Sequence, residues 1–373
     1  MPLRRLALLL SLISTATAAA APSESVAAAS ADPASRPFGL VIHGGAGVIK
    51  RDTMPPALEA EYRAKLTAAL DAGYAVLARG GTALDAVTAA VNIMEDSPLF
   101  NAGKGAVFTA DGTCELDAAI MDGRTLGAGA IAGVRHIKNP VNLARDVMEK
   151  SKHVMMIGDG AEKFATSLGY QLVPNEYFQT DQRRQQLERA KKLESAADRG
   201  TAGLPLDHIS PSPLSPDPSP ASGLSDDYFA REQKYGTVGC VALDQHGNLA
   251  AGTSTGGMTN KKFGRVGDVP VIGAGTYANN ATCAVSATGW GEFFIRATVA
   301  HDISAQVEYQ GKTIRDAATA TLAKVARLGG DGGVIVLDAR GNLAMEFNTA
   351  GMYRAHRLSG QAPYVAIYGD ESK

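Results

Sequence analysis

The chain has 373 residues, 45% of them hydrophobic and 20% charged, with a formal net charge of −2. That composition suits an ordinary globular protein of one large or two small domains. It leaves no basic footprint for nucleic acid, and past the leader no segment is apolar and long enough to cross a bilayer.

The N-terminus reads as a secretory leader. Arg4 and Arg5 precede a short apolar run from Leu6 to Ile13, and Ala16-Thr17-Ala18 offers a small-residue cleavage site. Residues 1–21 are therefore expected to be removed on export, most simply to a periplasm, and 22–37 to form a flexible arm. Only three cysteines follow, Cys114, Cys240 and Cys283. An odd count in apolar surroundings predicts buried thiols and not a disulfide framework.

The fold is expected to begin at residue 38. "FGLVIHGGAG" (38–47) is a strand ending in a glycine loop, in which His43 shapes the loop or makes a hydrogen bond. Leu58, Tyr62, Leu66, Leu70 and Leu77 keep helical spacing up to Gly80-Gly81, and Thr82 caps a second helix with Asp85 three residues on. "PLFNAGKGAVFTADG" is a glycine-rich loop running into a strand. "ELDAAIMDG" and "AGAIAGV" read as strands, "PVNLARDVMEKS" as a helix and "HVMMIG" as a strand. The glycines of "GAGAIAG" lack the strand-then-helix setting of a dinucleotide site, so they fit close strand packing. Residues 181–200 are charged and rich in Gln; 203–225 hold six prolines. A linker is expected over about 200–234.

Beyond the linker, "VALDQHGNLA" (241–250) and "IVLDARGNLA" (335–344) nearly repeat, and each predicts a β-hairpin. Between them "GEFFIRATVAHDIS" and "TIRDAATATLAKVARL" have helical spacing. Strands group with strands and helices with helices on both sides of the linker, which predicts sheets sandwiched between helices.

The chemistry must be sought where the linker stops, at "YGTVGC". The seven histidines are scattered, without H-E-x-x-H or paired C-x-x-C, so no side-chain metal site is predicted. "GTSTG" (252–256) matches G-x-S-x-G around Ser254, but the helix that a nucleophile elbow requires does not follow. Cleavage between Gly236 and Thr237 explains more. It would give Thr237 an α-amine beside its own hydroxyl, and that amine, with a pKa of about 8, is a general base near neutrality. Gly236 leaves its carbonyl open to attack.

"IHGGAG", "PLFNAGKGAVF", "YGTVGCVALD", "GNLAAGTSTGGMTNKKFGRVGDVPVIGAGTYANN" and "SATGWGEFFIR" together resemble the plant-type asparaginases, or isoaspartyl peptidases, from about residue 38 to 368. The resemblance implies an α+β fold, the four-layer αββα sandwich of the N-terminal-nucleophile hydrolases. It implies an α subunit (38–236) and a β subunit (237–373) in one domain, and an (αβ)2 assembly. By the same resemblance Thr237 is the nucleophile, Thr255 tunes it, and Thr288 with the Gly289 N–H forms the oxyanion hole. Arg265 looks like the clamp for the substrate α-carboxylate; Asp268, helped by the Gly291 carbonyl, accepts its α-ammonium. Asn101 resembles the residue that fixes nucleophile and substrate amide. Met94, Glu95, Ser97, Phe100, Ala102 and Lys104 match a loop that holds a structural sodium ion through backbone carbonyls; no organic cofactor is implied. Without the family, Arg265 and Asp268 read as a loop ion pair, and Thr255 as a strand-end Thr. Trp290, between the two site glycines, departs from the small or polar residue expected there. The implied substrates are asparagine and isoaspartyl dipeptides. The near alternative is a glycosylasparaginase, in which His-Asp usually precedes the nucleophile where this chain has Tyr235-Gly236. A non-catalytic exported amino-acid-binding protein is the alternative from another class.

Overall fold

The computed structural model describes residues 36–200 and 236–371. The leader, most of the arm and the proline-rich linker lie outside them.

Twelve strands form two sheets. In chain order they are β1 (Gly39–Gly47), β2 (Leu116–Asp122), β3 (Ala128–Val134), β4 (Met155–Ile157), β5 (Val238–Leu243), β6 (Leu249–Thr255), β7 (Thr276–Ala278), β8 (Cys283–Gly289), β9 (Gly332–Asp338), β10 (Leu343–Phe347), β11 (Gly351–Leu358) and β12 (Tyr364–Tyr368). The larger sheet runs β12-β11-β1-β5-β6-β2-β3-β4 and the smaller β10-β9-β8-β7. All pairings are antiparallel except β3 with β4.

The period-2 alternation of each strand sorts its side chains between two cores. Leu40 and Ile42 of β1, with Val238, Cys240 and Ala242 of β5, face the outer helices, while Val41, Val241 and Leu243 face the other sheet. In the smaller sheet Val334 and Val336 point outward, and Ile335 and Leu337 meet the larger sheet. Helices α1 (Pro56–Ala78), α2 (Ala83–Glu95) and α3 (Pro140–Lys150) cover the larger sheet. Helices Val299–Gln310 and Ile314–Arg327 cover the smaller one. The result is the αββα sandwich.

Local chemistry explains the element ends. Thr82 and Thr313 each accept the backbone N–H three residues on, at 3.1 Å, and so cap their helices. The two repeats are hairpins closed alike. Asp244 Oδ1 accepts the N–H groups of His246 and Asn248, and Asp338 Oδ1 those of Arg340 and Asn342. The three cysteines are buried and free.

Three expectations change. β1 continues through "HGGAG", with its register shifted between His43 and Gly45. After the glycine-rich loop no strand forms; Phe108 and Cys114 make an isolated bridge around a tight turn. Residues 291–310 are two helices, broken at Thr298, whose φ of 52° is left-handed. In addition, α4 (Gly158–Ser167) follows β4, and the Gln-rich stretch forms α5 (Asp181–Gly200).

Candidate active site

Thr237 immediately precedes β5, at the end of a central strand, and lies beside the last residue of β6, Thr255. Its hydroxyl donates to Thr255 Oγ1 at 3.0 Å, and the Gly257 N–H donates to the same oxygen at 3.0 Å. Thr255 Oγ1 thus accepts both donors and fixes the orientation of the Thr237 hydroxyl.

The preceding peptide is held just as closely. The Asn101 N–H donates to Gly236 O at 3.0 Å. A Cβ on Gly236 would sit 2.7 Å from Asn101 Cβ, so only glycine fits. The Asn101 side chain braces the surrounding loops: Nδ2 donates to Gly257 O at 2.7 Å, and Oδ1 accepts the Val107 N–H at 2.9 Å. Both ends of the side-chain amide are engaged with backbone.

Behind Thr237, His43 spans the two sheets. Its Nδ1 lies 3.0 Å from Thr237 O, and Nε2 lies 2.8 Å from Ser286 Oγ. A carbonyl can only accept, so Nδ1 carries the proton and Nε2 accepts the Ser286 hydroxyl. Burial pushes the His43 pKa down to about 3, against the opposing pull of the Thr237 carbonyl, so the ring stays neutral. Ser286 continues to Thr253 at 2.7 Å, and Thr253 to Thr276 at 2.7 Å. This buried chain fixes the start of β5 against the smaller sheet. His43 was legible as a hydrogen-bonding residue, but not its partners, which lie far along the chain.

The charged groups converge around Gly291. A Cβ there would lie 2.9 Å from Arg265 Nη2 and 2.9 Å from Asp268 Oδ1. Arg265 is not paired with Asp268. Its Nε and Nη2 each donate to the Glu292 carboxylate at 2.8 Å. That fork occupies one edge of the guanidinium and leaves the Nη1–Nη2 edge for another carboxylate. Glu292 stays ionised. Burial would raise its pKa, but Arg265 and the Trp290 side chain hold it below the usual carboxylate range. Glu292 is the site residue the sequence reading missed; its only signal was an acidic side chain in the first turn after Trp290-Gly291. Trp290, the unexpected residue, packs edge-on against Phe293 at 5.0 Å and supports Glu292.

Asp268 Oδ2 and Thr288 Oγ1 are among the ten buried side-chain polar atoms without a hydrogen-bond partner among the described residues. Such atoms are costly unless a ligand satisfies them. Thr288 and Gly289 end β8, and the chain passes through Trp290 directly to Gly291. Burial raises the Asp268 pKa to about 7, against the pull of Arg265. An acid whose folded-state pKa is raised holds its proton more tightly when folded. Its contribution to stability is therefore lost as pH climbs from about 4 through 7. Asp268→Asn is expected to gain stability relative to the wild type across that range, by on the order of a few kcal/mol at pH 8. Thermal unfolding at pH 4.5 and 8 measures it; a constant difference in Tm would refute the shift.

The loop from Met94 to Lys104 folds back closely on its own backbone. A Cβ on Gly103, whose φ is +50°, would lie 2.3 Å from Glu95 O. One on Gly105 would lie 2.1 Å from Phe100 O and 2.7 Å from Pro98 O. Met94, Ser97, Phe100 and Ala102 are buried, whereas Lys104 is exposed over the Tyr177 ring. The Glu95 side chain turns away to Ser254 Oγ at 2.6 Å and the Val141 N–H at 3.0 Å, and burial pushes its pKa up to about 8. Ser254 is thereby a buried donor within β6, which removes it as a nucleophile. No cluster of three or more His, Cys, Asp or Glu able to hold a metal occurs among the described residues.

The Thr237–Thr255 hydroxyl pair, an arginine with one free edge beside an unpartnered carboxylate, and the unpartnered Thr288 hydroxyl are groups that an acyl-transfer site of the N-terminal-nucleophile kind requires. Comparison with known proteins agrees. The family model described as Asparaginase matches residues 36–367. The chain is 50% identical to the isoaspartyl peptidase of Escherichia coli (strain K12) over 89% of its own length and 96% of that protein. It is 46% identical to the putative isoaspartyl peptidase/L-asparaginase of Dictyostelium discoideum, over 85% and 92% respectively. With the probable isoaspartyl peptidase/L-asparaginase 2 of Arabidopsis thaliana it shares 40% identity, over 89% and 99%. The chain belongs to this asparaginase family.

Proposed function

We propose that the chain cuts itself between Gly236 and Thr237 and then hydrolyses β-aspartyl bonds, converting L-asparagine to L-aspartate and ammonia and splitting isoaspartyl dipeptides. The observation that carries this reading is the Thr237 hydroxyl donated to Thr255 Oγ1, next to a scissile carbonyl held by Asn101.

In the precursor, Thr237 Oγ1 attacks the Gly236 carbonyl carbon as its proton moves toward Thr255. The Gly236–Thr237 C–N bond breaks, the nitrogen takes a proton, and an ester links Gly236 to the Thr237 oxygen. Water hydrolyses that ester, leaving a Gly236 carboxylate and a free Thr237 α-amine. In the mature enzyme this amine takes the hydroxyl proton while the oxygen attacks the substrate β-carbonyl. Thr288 Oγ1 and the Gly289 N–H donate to the developing oxyanion. The leaving amine takes the proton, and water then releases aspartate from the β-aspartyl ester. Through both steps the Nη1–Nη2 edge of Arg265 holds the α-carboxylate. The Asp268 carboxylate, with the Gly291 carbonyl, holds the α-ammonium.

The close approach of Gly103 and Gly105 to the carbonyls of Glu95, Pro98 and Phe100 supports a sodium ion held by this loop, which would stiffen the segment that carries Asn101. The leader supports export to a periplasm, and the family resemblance supports a dimer of fragment pairs. No helix among the described residues is long and apolar enough to cross a membrane.

The direct test compares three substrates on purified protein: L-asparagine, an isoaspartyl dipeptide and glycosylated asparagine. Hydrolysis of the first two and not the third is expected. Preference for the glycosylated substrate would move the chain to the glycosylasparaginase branch. Tight binding without turnover would make it an amino-acid-binding protein, a reading that the intact hydroxyls of Thr237, Thr255 and Thr288 oppose.

A further inference from the structure

A cleft lies on the upstream side of the scissile bond. Gly236 forms part of its wall, together with Gly44, Tyr62, Phe100, Arg183 and Tyr353. Tyr62 and Tyr353 stack in that wall with ring centroids 4.2 Å apart.

Arg183, in the first turn of α5, brings a buried cation to this wall. It is only 6% exposed, yet no carboxylate pairs with it among the described residues. Its Nε donates to Gly105 O at 2.9 Å and its Nη1 to Gln186 Oε1 at 3.0 Å, both neutral acceptors. A buried guanidinium without a counter-ion is strongly disfavoured, and burial accordingly lowers its pKa. Arg265, in contrast, has the Glu292 carboxylate.

The missing anion is one that the precursor does not yet contain. Cleavage turns the neutral Gly236 carbonyl into a carboxylate, in the wall of the same cleft. Left beside Thr237, that carboxylate would pair with the new α-ammonium and hold it protonated, which opposes its use as a base. We propose that the Arg183 cleft is a carboxylate subsite, filled after cleavage by the new C-terminus at Gly236. This inference rests on self-cleavage at Gly236–Thr237, although not on the choice of substrate. The leaving group of an isoaspartyl dipeptide carries the same chemistry, and the test separates the two sources.

Wild type, Arg183→Met and Arg183→Lys are first shown by intact mass to carry a fragment that begins at Thr237. An uncut wild type would overturn the self-cleavage reading, and with it the premise of this one. The matured proteins are then treated with a carboxypeptidase, and loss of Gly236 is followed by mass. Removal is expected to be about tenfold or more faster in Arg183→Met, the loss of one charge-assisted contact, and intermediate in Arg183→Lys. In parallel, kcat/KM is measured on asparagine, an isoaspartyl dipeptide and the C-terminal amide of that dipeptide. A loss confined to the free-carboxylate dipeptide, with trimming unchanged, would assign the subsite to the leaving group and overturn the tail as its occupant. If neither trimming nor this discrimination changes in a matured variant, the subsite is refuted, and Arg183 only braces Gly105 and Gln186. Should Arg183→Met fail to fold, the comparison of Arg183→Lys with wild type decides by the same readouts.

Discussion

Thr237→Ala should leave a single uncut chain with no measurable hydrolysis of asparagine. The wild type should separate under denaturing conditions into two fragments, the smaller one comprising residues 237 to 373. Two losses combine in the variant. The oxygen that attacks Gly236 is gone, so no α-amine is released, and the nucleophile for substrate is gone as well. Removing a nucleophile that acts as a unit with its base typically costs about 10⁴-fold or more. Intact-mass analysis with an ammonia-release assay checks both halves. A wild type that is fully active as one chain would end the mechanism, because the Thr237 nitrogen would then be an amide and could not act as a base.

The second large effect concerns recognition. Arg265→Lys and Asp268→Asn should both mature, since self-cleavage involves no free amino acid, yet lose on the order of 30-fold or more in kcat/KM. Arg265 can offer the Nη1–Nη2 edge because Glu292 already holds the other edge at 2.8 Å. A lysine offers no such divided fork. Asp268 is buried with one oxygen unpartnered, and its pKa is raised to about 7. An incoming ammonium satisfies that oxygen and favours the ionised form. The asparagine side chain keeps the shape and loses the charge. Blocking the substrate should mimic the variants, so wild type on N-acetyl-asparagine should show a comparable loss. Near-normal rates in matured variants, or ready cleavage of the acetylated substrate, would return Arg265 and Asp268 to a structural role.

These two predictions draw on residues that differ in how visible they were. Thr255, Arg265 and Asp268 fall in one unbroken motif, so their types and spacing could be read directly. The paired hairpins were equally plain, because Asp244 and Asp338 close their turns through local bonds two and four residues on. Thr82 as a cap is local in the same way. What stayed hidden depends on contacts between distant segments. Ser286 is a partner for His43 only because β8 packs across from β1, 243 positions away. Arg183 sits in a stretch whose charge reads as solvated surface, yet it is buried against Gly105. The break at Thr298 had no glycine or proline to mark it, and the apolar spacing runs through it. Asn101 could be found but not understood, since the backbone partners of its side chain belong to loops that only the folded sandwich brings together.

The order of the larger sheet has a consequence for the life of the enzyme after maturation. Strands from before and after the cut alternate across it: β1 lies between β11 and β5, and β2 pairs with β6. The precursor can assemble this interleaving as one molecule, with every strand tethered to the next. Once the tether at Gly236 is severed, the same pairing requires two chains to find each other. Refolding becomes second order in concentration, while the ladder that holds the pair together is unchanged. The uncut chain is thus the form suited to reaching the fold, and the cut enzyme persists through the slowness of its unfolding. Maturation by the proposed cut would work as a ratchet, releasing the catalytic amine in the same step that removes the easy route back from denaturation.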